Sequence, residues 1–171
     1  RDWQNIGLNP TFSIYDTDDQ LSVVKAVMKE LLIDPKAFKP KGIQNFISNC
    51  KNEFVTPEQA KSYAQGYFKE VAAPVFPKYQ AELKRHNAVD FDYLLVKAVE
   101  LFQKKPYVLE KYHNTFKYIM VDEYQDTNKV QYLLIKALAN KYKNIAGVGD
   151  DDQSIYSWRG ATINNILSFK K

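Results

Sequence analysis

The first half of the chain alternates apolar and polar positions with a helical period. Leu21, Val24, Met28, Leu31 and Leu32 form one stripe that predicts a helix running to about Ile33. Thr17-Asp18-Asp19-Gln20 ahead of it reads as a capping box, and Asp34-Pro35 stops it. Ile43, Phe46, Ile47 and Cys50 predict a short second helix. Thr56-Pro57-Glu58-Gln59 is a second box, with proline at the first helical position, where its missing N–H costs nothing. The stripe after it, from Ala60, Tyr63, Ala64, Tyr67, Phe68, Val71 and Ala72 to Val75, Phe76, Tyr79 and Leu83, contains Pro74 and Pro77, so a kink is expected near residues 72–74. Asp90 or Asp92 can cap a further helix that buries Leu94, Leu95, Ala98, Val99 and Phe102 and ends at Pro106.

The pattern then changes. Phe116-Lys117-Tyr118-Ile119-Met120-Val121 and Ile145-Ala146-Gly147-Val148-Gly149 are short apolar runs bounded by polar residues or glycine, as in strands buried on both faces. Between them, Val130, Leu133, Leu134, Ala137 and Leu138 mark Asn128 to Tyr142 as a helix with one buried stripe. Strand, helix, strand of this length is a βαβ crossover, which predicts parallel neighbours and a right-handed connection. The shift from all-helical to β/α character falls near residues 88–90.

Each apolar run ends in a polar block. The first is Asp122-Glu123-Tyr124-Gln125-Asp126-Thr127. The second is Asp150-Asp151-Asp152-Gln153-Ser154-Ile155-Tyr156-Ser157-Trp158-Arg159-Gly160-Ala161. Ligands of open α/β sheets bind where strands end, and adjacent carboxylates there suit a hydrated Mg²⁺ carrying a nucleotide phosphate. Asp122 is placed to hold that ion directly or through water. Glu123 is placed to orient or deprotonate an attacking water. A bare Asp-Glu pair is ordinarily just a solvated loop; the second block changes the balance. Gln153 both donates and accepts, so it can meet a terminal phosphate or the water. Tyr156, Trp158 and Arg159 combine aromatic faces with a guanidinium, the composition of a platform for single-stranded nucleic acid. The same three residues, taken alone, also fit a small core cluster with one snorkelling arginine.

Taken together, the blocks resemble the UvrD/PcrA/Rep group of superfamily 1 DNA helicases. Asp-Glu-Tyr-Gln-Asp-Thr-Asn is similar to that family's Walker B segment, written DExQD, and Gly149 to Ala161 is similar to its motif III almost letter for letter. Upstream, Arg1 to Asp16 resembles the segment after the first single-strand-contacting motif. Ala88 to Leu94 resembles a DFDDL stretch, with Tyr93 where a second acid is usual. The resemblance implies an α/β fold: a partial RecA-like parallel sheet with helices, plus an all-α insertion. It divides the chain into 1–14 (end of a preceding RecA-like segment), 15–88 (insertion) and 89–171 (later part of the first RecA-like domain). It implies an ATP-dependent helicase and translocase using ATP and Mg²⁺ on single-stranded DNA and single/double-strand junctions. Asp122 would sit on Mg²⁺, Glu123 would be the base, Gln153 would lie at the γ-phosphate, and Tyr156, Trp158 and Arg159 at the DNA strand. The insertion of that family contacts duplex DNA, which would bring Lys36, Lys39 and Lys41 to phosphates, although a solvated charged loop is the commoner fate of such residues.

The glycines at 7, 42, 66, 147, 149 and 160 do not begin or complete the G-x-x-x-x-G-K-[ST] phosphate loop. The chain therefore reads as an internal piece of a longer enzyme, inactive by itself. Two alternatives stand beside this reading: a helicase subunit of a recombination helicase–nuclease complex, and a non-catalytic nucleic-acid-binding module. The second has no need of a catalytic base. An internal piece also predicts an unpaired edge on strand 144–149, and hence self-association or a covering terminal segment.

Composition adds limits. With 171 residues, 45% hydrophobic and 26% charged, the chain is long enough for one domain or one domain with an insertion. A net charge of +4 makes no case for nucleic acid by itself. Cys50, the one cysteine, lies on an apolar helical stripe and reads as core. His86 and His113 show no ligand spacing. No run reaches membrane-span length and no signal peptide is visible, so a cytoplasmic location is expected.

Overall fold

A computed structural model describes residues 2–150. The described residues form two compact units, one of residues 8–94 and one of residues 2–7 and 95–150.

The first unit is mainly helical. It opens on β1 (Ser13–Tyr15), followed by α1 (Thr17–Glu30), α2 (Pro40–Asn52), α3 (Ala60–Tyr63), α4 (Tyr67–Ala72), α5 (Val75–Arg85) and β2 (Ala88–Asp90). α1 packs on α2 and α5, and Val24, Val27, Met28, Ile43, Ile47 and Phe76 lie in one core. The box at α1 sits one residue earlier than the sequence suggests. Asp16, not Thr17, is the cap: Asp16 Oδ1 accepts from the N–H groups of Asp18 and Asp19, and Asp19 Oδ2 accepts from Asp16 N–H. A carboxylate at this position also faces the positive end of the helix. α1 ends at Glu30 in a Schellman turn, with Ile33 N–H on Met28 C=O at 2.9 Å and Leu32 N–H on Lys29 C=O at 3.2 Å. Leu32 therefore takes a left-handed φ of 55° and is 92% exposed, not part of the buried stripe.

The box at Thr56 and Gln59 forms reciprocally. The long stripe after it is not one helix. It breaks at Gly66, whose φ of 89° is open to glycine and strained for other residues, and again at Ala73-Pro74, where the kink was expected. β1 and β2 form a parallel pair that no periodicity announces, with Ser13 opposite Ala88 and Tyr15 opposite Asp90.

The stretch around Asp90 is tied to a buried cation. Lys51 and Asp90 are each 2% exposed and form an ion pair. Tyr79 Oη donates to Asp90 Oδ2 at 2.8 Å, and Tyr93 N–H donates to Asp90 Oδ1 at 2.7 Å. Asp90 is thus the capping residue for α6 (Phe91–Lys104), while Asp92 accepts from Ser48 Oγ at 2.6 Å. The Lys51 ammonium lies 4.9 Å from the Tyr79 ring centre and 5.1 Å from that of Tyr93. Tyr93, in the position where the resembling stretch carries an acid, therefore offers a ring face to Lys51. Burial, then the Asp90 carboxylate, push the Tyr79 phenol well above its ordinary range, which keeps it a donor. Cys50 is fully buried; burial pushes its thiol up to about 11, against a smaller lowering by Lys69 and Lys51.

In the second unit, Pro106 both follows α6 and opens α7 (Pro106–Thr115), a helix the sequence pattern does not mark. Asp2 accepts from Lys111 and Tyr112 on that helix. Then come β3 (Ile119–Val121), a 3₁₀ turn at Tyr124–Asp126, α8 (Lys129–Ala139) and β4 (Ile145–Gly147). Asn128 and Gln131 form a capping box at α8. Leu101, Phe102 and Val108 pack with Leu134, Ala137 and Leu138, and His113 is buried with Nε2 2.9 Å from Ala137 C=O.

β3 and β4 are parallel neighbours, Ile119 opposite Ile145 and Val121 opposite Gly147, as the βαβ pattern predicts. They are shorter than expected and not buried on both faces: Met120 is 78% and Tyr118 82% exposed. The physical reason is the size of the sheet. Among the described residues it has two strands, too few to be enclosed by helices on both sides. Among the same residues, no helix is long and apolar enough to cross a membrane.

Candidate functional site

The polar block after β3 is a tight turn held against the end of β4. Asp122 and Glu123 are both exposed. Asp122 Oδ1 accepts from Glu123 N–H at 2.9 Å, and Glu123 adopts a left-handed conformation, φ 50° and ψ 45°. A local side-chain bond from Asp steadies a backbone state that a non-glycine residue rarely takes. The main chain continues the ladder past the strands: Val148 N–H donates to Val121 C=O at 2.8 Å and Tyr124 N–H donates to Val148 C=O at 2.9 Å. The ends of the two strands are thereby locked together, with the Asp122-Glu123 pair between them and solvent.

Beneath the pair lies Gln125, 1% exposed. Its Nε2 donates to Glu123 Oε2 at 2.6 Å, and its Oε1 accepts from Asp150 N–H at 3.0 Å. Gly149 makes this possible by close approach: a Cβ there would lie 2.4 Å from Gln125 Oε1 and 3.2 Å from Tyr124 N. Tyr124 is buried beside it, its phenol raised by that burial and secondarily by Tyr132. Thr127 Oγ1 closes the turn on Tyr124 C=O at 2.8 Å. Asp126 Oδ1 is buried with no hydrogen-bond partner among the described residues, an uncommon state for a carboxylate oxygen.

Of the residues singled out from the sequence, Asp122 and Glu123 stand together at the strand end. Gln153, Tyr156, Trp158 and Arg159 lie outside the described residues. The structure brings the first block to the opening residue of the second, Asp150, through Gln125 and Gly149. Neither of those two was marked out for a role by sequence reasoning. The available signal was a neutral glutamine inside an otherwise acidic turn. Lys39 and Lys41 flank the start of α2, and Lys41 Nζ donates to Gln44 Oε1 at 3.1 Å.

The donor set decides what ion could be held. Among the described residues no group of three or more His, Cys, Asp or Glu side chains is arranged for a metal, so an all-protein cage is absent there. Two adjacent exposed carboxylates fit Mg²⁺ instead, which keeps several waters and takes further ligands from substrate phosphates.

A parallel strand pair presenting carboxylates beyond its C-terminal ends defines a mixed α/β protein, with the candidate site at the strand termini. Residues 1–171 match the UvrD/REP helicase N-terminal domain, and the chain belongs to that family. Over its full length it is 51% identical to the ATP-dependent DNA helicase PcrA of Bacillus subtilis (strain 168). It is 52% identical to the proteins of the same name from Staphylococcus epidermidis (strain ATCC 12228 / FDA PCI 1200) and Staphylococcus aureus (strain NCTC 8325 / PS 47). The chain covers 23% of the first and last of these relatives and 24% of the second, about a quarter of their length.

Proposed function

We propose that this chain is an internal part of a cytoplasmic ATP-dependent DNA helicase and translocase. In this reading residues 89–171 are the later part of a RecA-like ATPase domain, 15–88 its helical insertion and 1–14 the end of a preceding segment. The observation that carries the reading is the Asp122-Glu123 pair at the end of β3, pinned to β4, in a chain of this family. ATP is the substrate. Asp122 holds the Mg²⁺ that accompanies it, directly or through water. When bound, that ion neutralises charge on the transferring phosphoryl group. Glu123 accepts the proton of the attacking water, and Gln153 lies at the γ-phosphate. Tyr156, Trp158 and Arg159 contact single-stranded DNA, so that hydrolysis is coupled to stepping along the strand and to unwinding at junctions. An intact carboxylate pair favours an enzyme over a binding module, which needs no base.

The DNA half of the reading is tested at Trp158. In the complete enzyme, Trp158→Ala is expected to weaken single-strand affinity by about 1–3 kcal/mol, the usual effect of losing one stacked base, and to uncouple ATP hydrolysis from DNA. An unchanged affinity combined with a large drop in melting temperature would place Trp158 in a core cluster instead.

The edge of β4 bears on the 171-residue chain by itself. β4 pairs with β3 alone among the described residues, and Val148 beside it is 57% exposed. The segment 144–149 around β4 holds no proline, and its nearest charges are Lys143 and Asp150. The chain is expected to self-associate, or to cover this edge with a terminal segment. Light scattering after size exclusion, over a range of concentrations, reads the first outcome. A strictly monomeric chain with fast exchange of the Ile145 and Gly147 amides, which face away from β3, would show that the edge is tolerated.

A further inference from the structure

We infer that Gln125 is a positioning residue that sets the Glu123 carboxylate and ties it to the main chain at Asp150. The inference rests on Glu123 being the base.

Glu123 is an exposed residue in a left-handed backbone state. Left to itself, an exposed glutamate samples several rotamers, at an entropic cost to any single geometry. Here one oxygen is held by a buried amide at 2.6 Å, a charge-assisted bond inside the protein surface. The amide in turn cannot rotate. Its two ends meet opposite chemistry: a carboxylate, which only accepts, and a backbone N–H, which only donates. Turning the amide over would set its NH₂ against Asp150 N–H and its oxygen against Glu123, so one orientation satisfies both partners. Gly149 closes the cage, since any side chain there would strike Gln125 Oε1.

The two partners of Gln125 are far apart in sequence, Asp150 being 25 positions away. Asp150 opens the block that carries Gln153, Tyr156, Trp158 and Arg159. A rigid side chain thus connects the proposed base to the main chain that leads into the proposed γ-phosphate and DNA contacts. The role differs from that of Asp122 and Glu123: Gln125 is buried and acts on the water only through Glu123.

Two substitutions in the complete enzyme separate its bonds. Gln125→Glu keeps an acceptor for Asp150 N–H but turns the donor facing Glu123 into a repelling oxygen. Gln125→Met fills the same volume and makes neither bond. Both are expected to lower kcat by about 10- to 10²-fold, the effect of a small misplacement of a reacting group, with little change in KM for ATP or in melting temperature. Gly149→Ala is expected to do the same from the other side. The same Gln125 changes made in a Glu123→Gln background are expected to cost almost nothing further, because the group being positioned is gone. A purely structural glutamine would lower the melting temperature and reduce activity equally in both backgrounds, which would overturn the inference. So would Gln125 variants that turn over like wild type while Glu123→Gln is slow. If Glu123→Gln itself turns over like wild type, the base assignment has failed, and the positioning role falls with it.

Discussion

Glu123→Gln in the complete enzyme is expected to reduce kcat by about 10² to 10⁴-fold, the usual effect of removing a general base, while leaving nucleotide and DNA affinity nearly unchanged. The expectation follows from the geometry of the turn. Glu123 is exposed, so its carboxylate can reach a substrate. Among the described residues its side chain bonds to Gln125, and a glutamine oxygen can accept that bond, so replacing the other oxygen by NH₂ leaves the fold of the turn intact. Glutamine keeps the shape and loses the proton acceptor. An effect of that size corresponds to about 3–5 kcal/mol of transition-state stabilisation. It is measured as steady-state turnover with saturating single-stranded DNA and Mg²⁺, beside equilibrium binding of a nucleotide. Turnover within roughly threefold of wild type, far short of the loss expected for a general base, would remove Glu123 from that role.

Lys51→Met is expected to destabilise the helical unit by about 3–5 kcal/mol, the range for breaking a buried ion pair from one side. Lys51 and Asp90 are both almost wholly buried. Removing the ammonium leaves a carboxylate in a closed interior with two remaining donors, Tyr79 Oη and Tyr93 N–H. It also removes the cation from between the Tyr79 and Tyr93 rings. Adding Asp90→Asn to Lys51→Met is expected to recover part of the loss, because the uncompensated charge disappears, the amide oxygen still accepts from Tyr93 N–H, and the Tyr79 hydroxyl can turn to accept from the amide NH₂. Denaturant unfolding followed by circular dichroism gives both values. A single-variant loss below about 1 kcal/mol, the scale of an exposed pair, would mean that water reaches Lys51 and the cluster is open.

Some of this was open to reading along the chain. β3, α8 and β4 are legible because a helix with one buried stripe between two short apolar runs admits few other arrangements, and the parallel pairing follows from the crossover. The Thr56–Gln59 box and the break at Pro74 are local, set by residues within one turn. Local reading fails where neighbouring residues compete for the same task. Asp16 and Thr17 can both cap a helix, and it is Asp16, in extended backbone geometry, that takes the place while Thr17 is already helical. Gly66 is tolerable inside a helical pattern, so the stripe hid the break.

The sequence by itself determined the family, the paired carboxylates at a strand end and the helical character of the first half, because each is carried by a contiguous motif or by a period of a few residues. Tertiary structure alone decided the rest. The β1–β2 pair joins residues at either end of the helical unit and is three residues long on each side, too short for a period to show. Lys51 looks like one more charged residue at the end of α2, and only packing places it against Asp90 and three aromatic rings. Gln125 becomes informative only when Asp150 arrives beside it, carried there by the pairing of β3 with β4 and by the missing side chain of Gly149. What brings these groups together is burial and hydrogen-bond satisfaction between positions distant in the chain, and no local pattern encodes that.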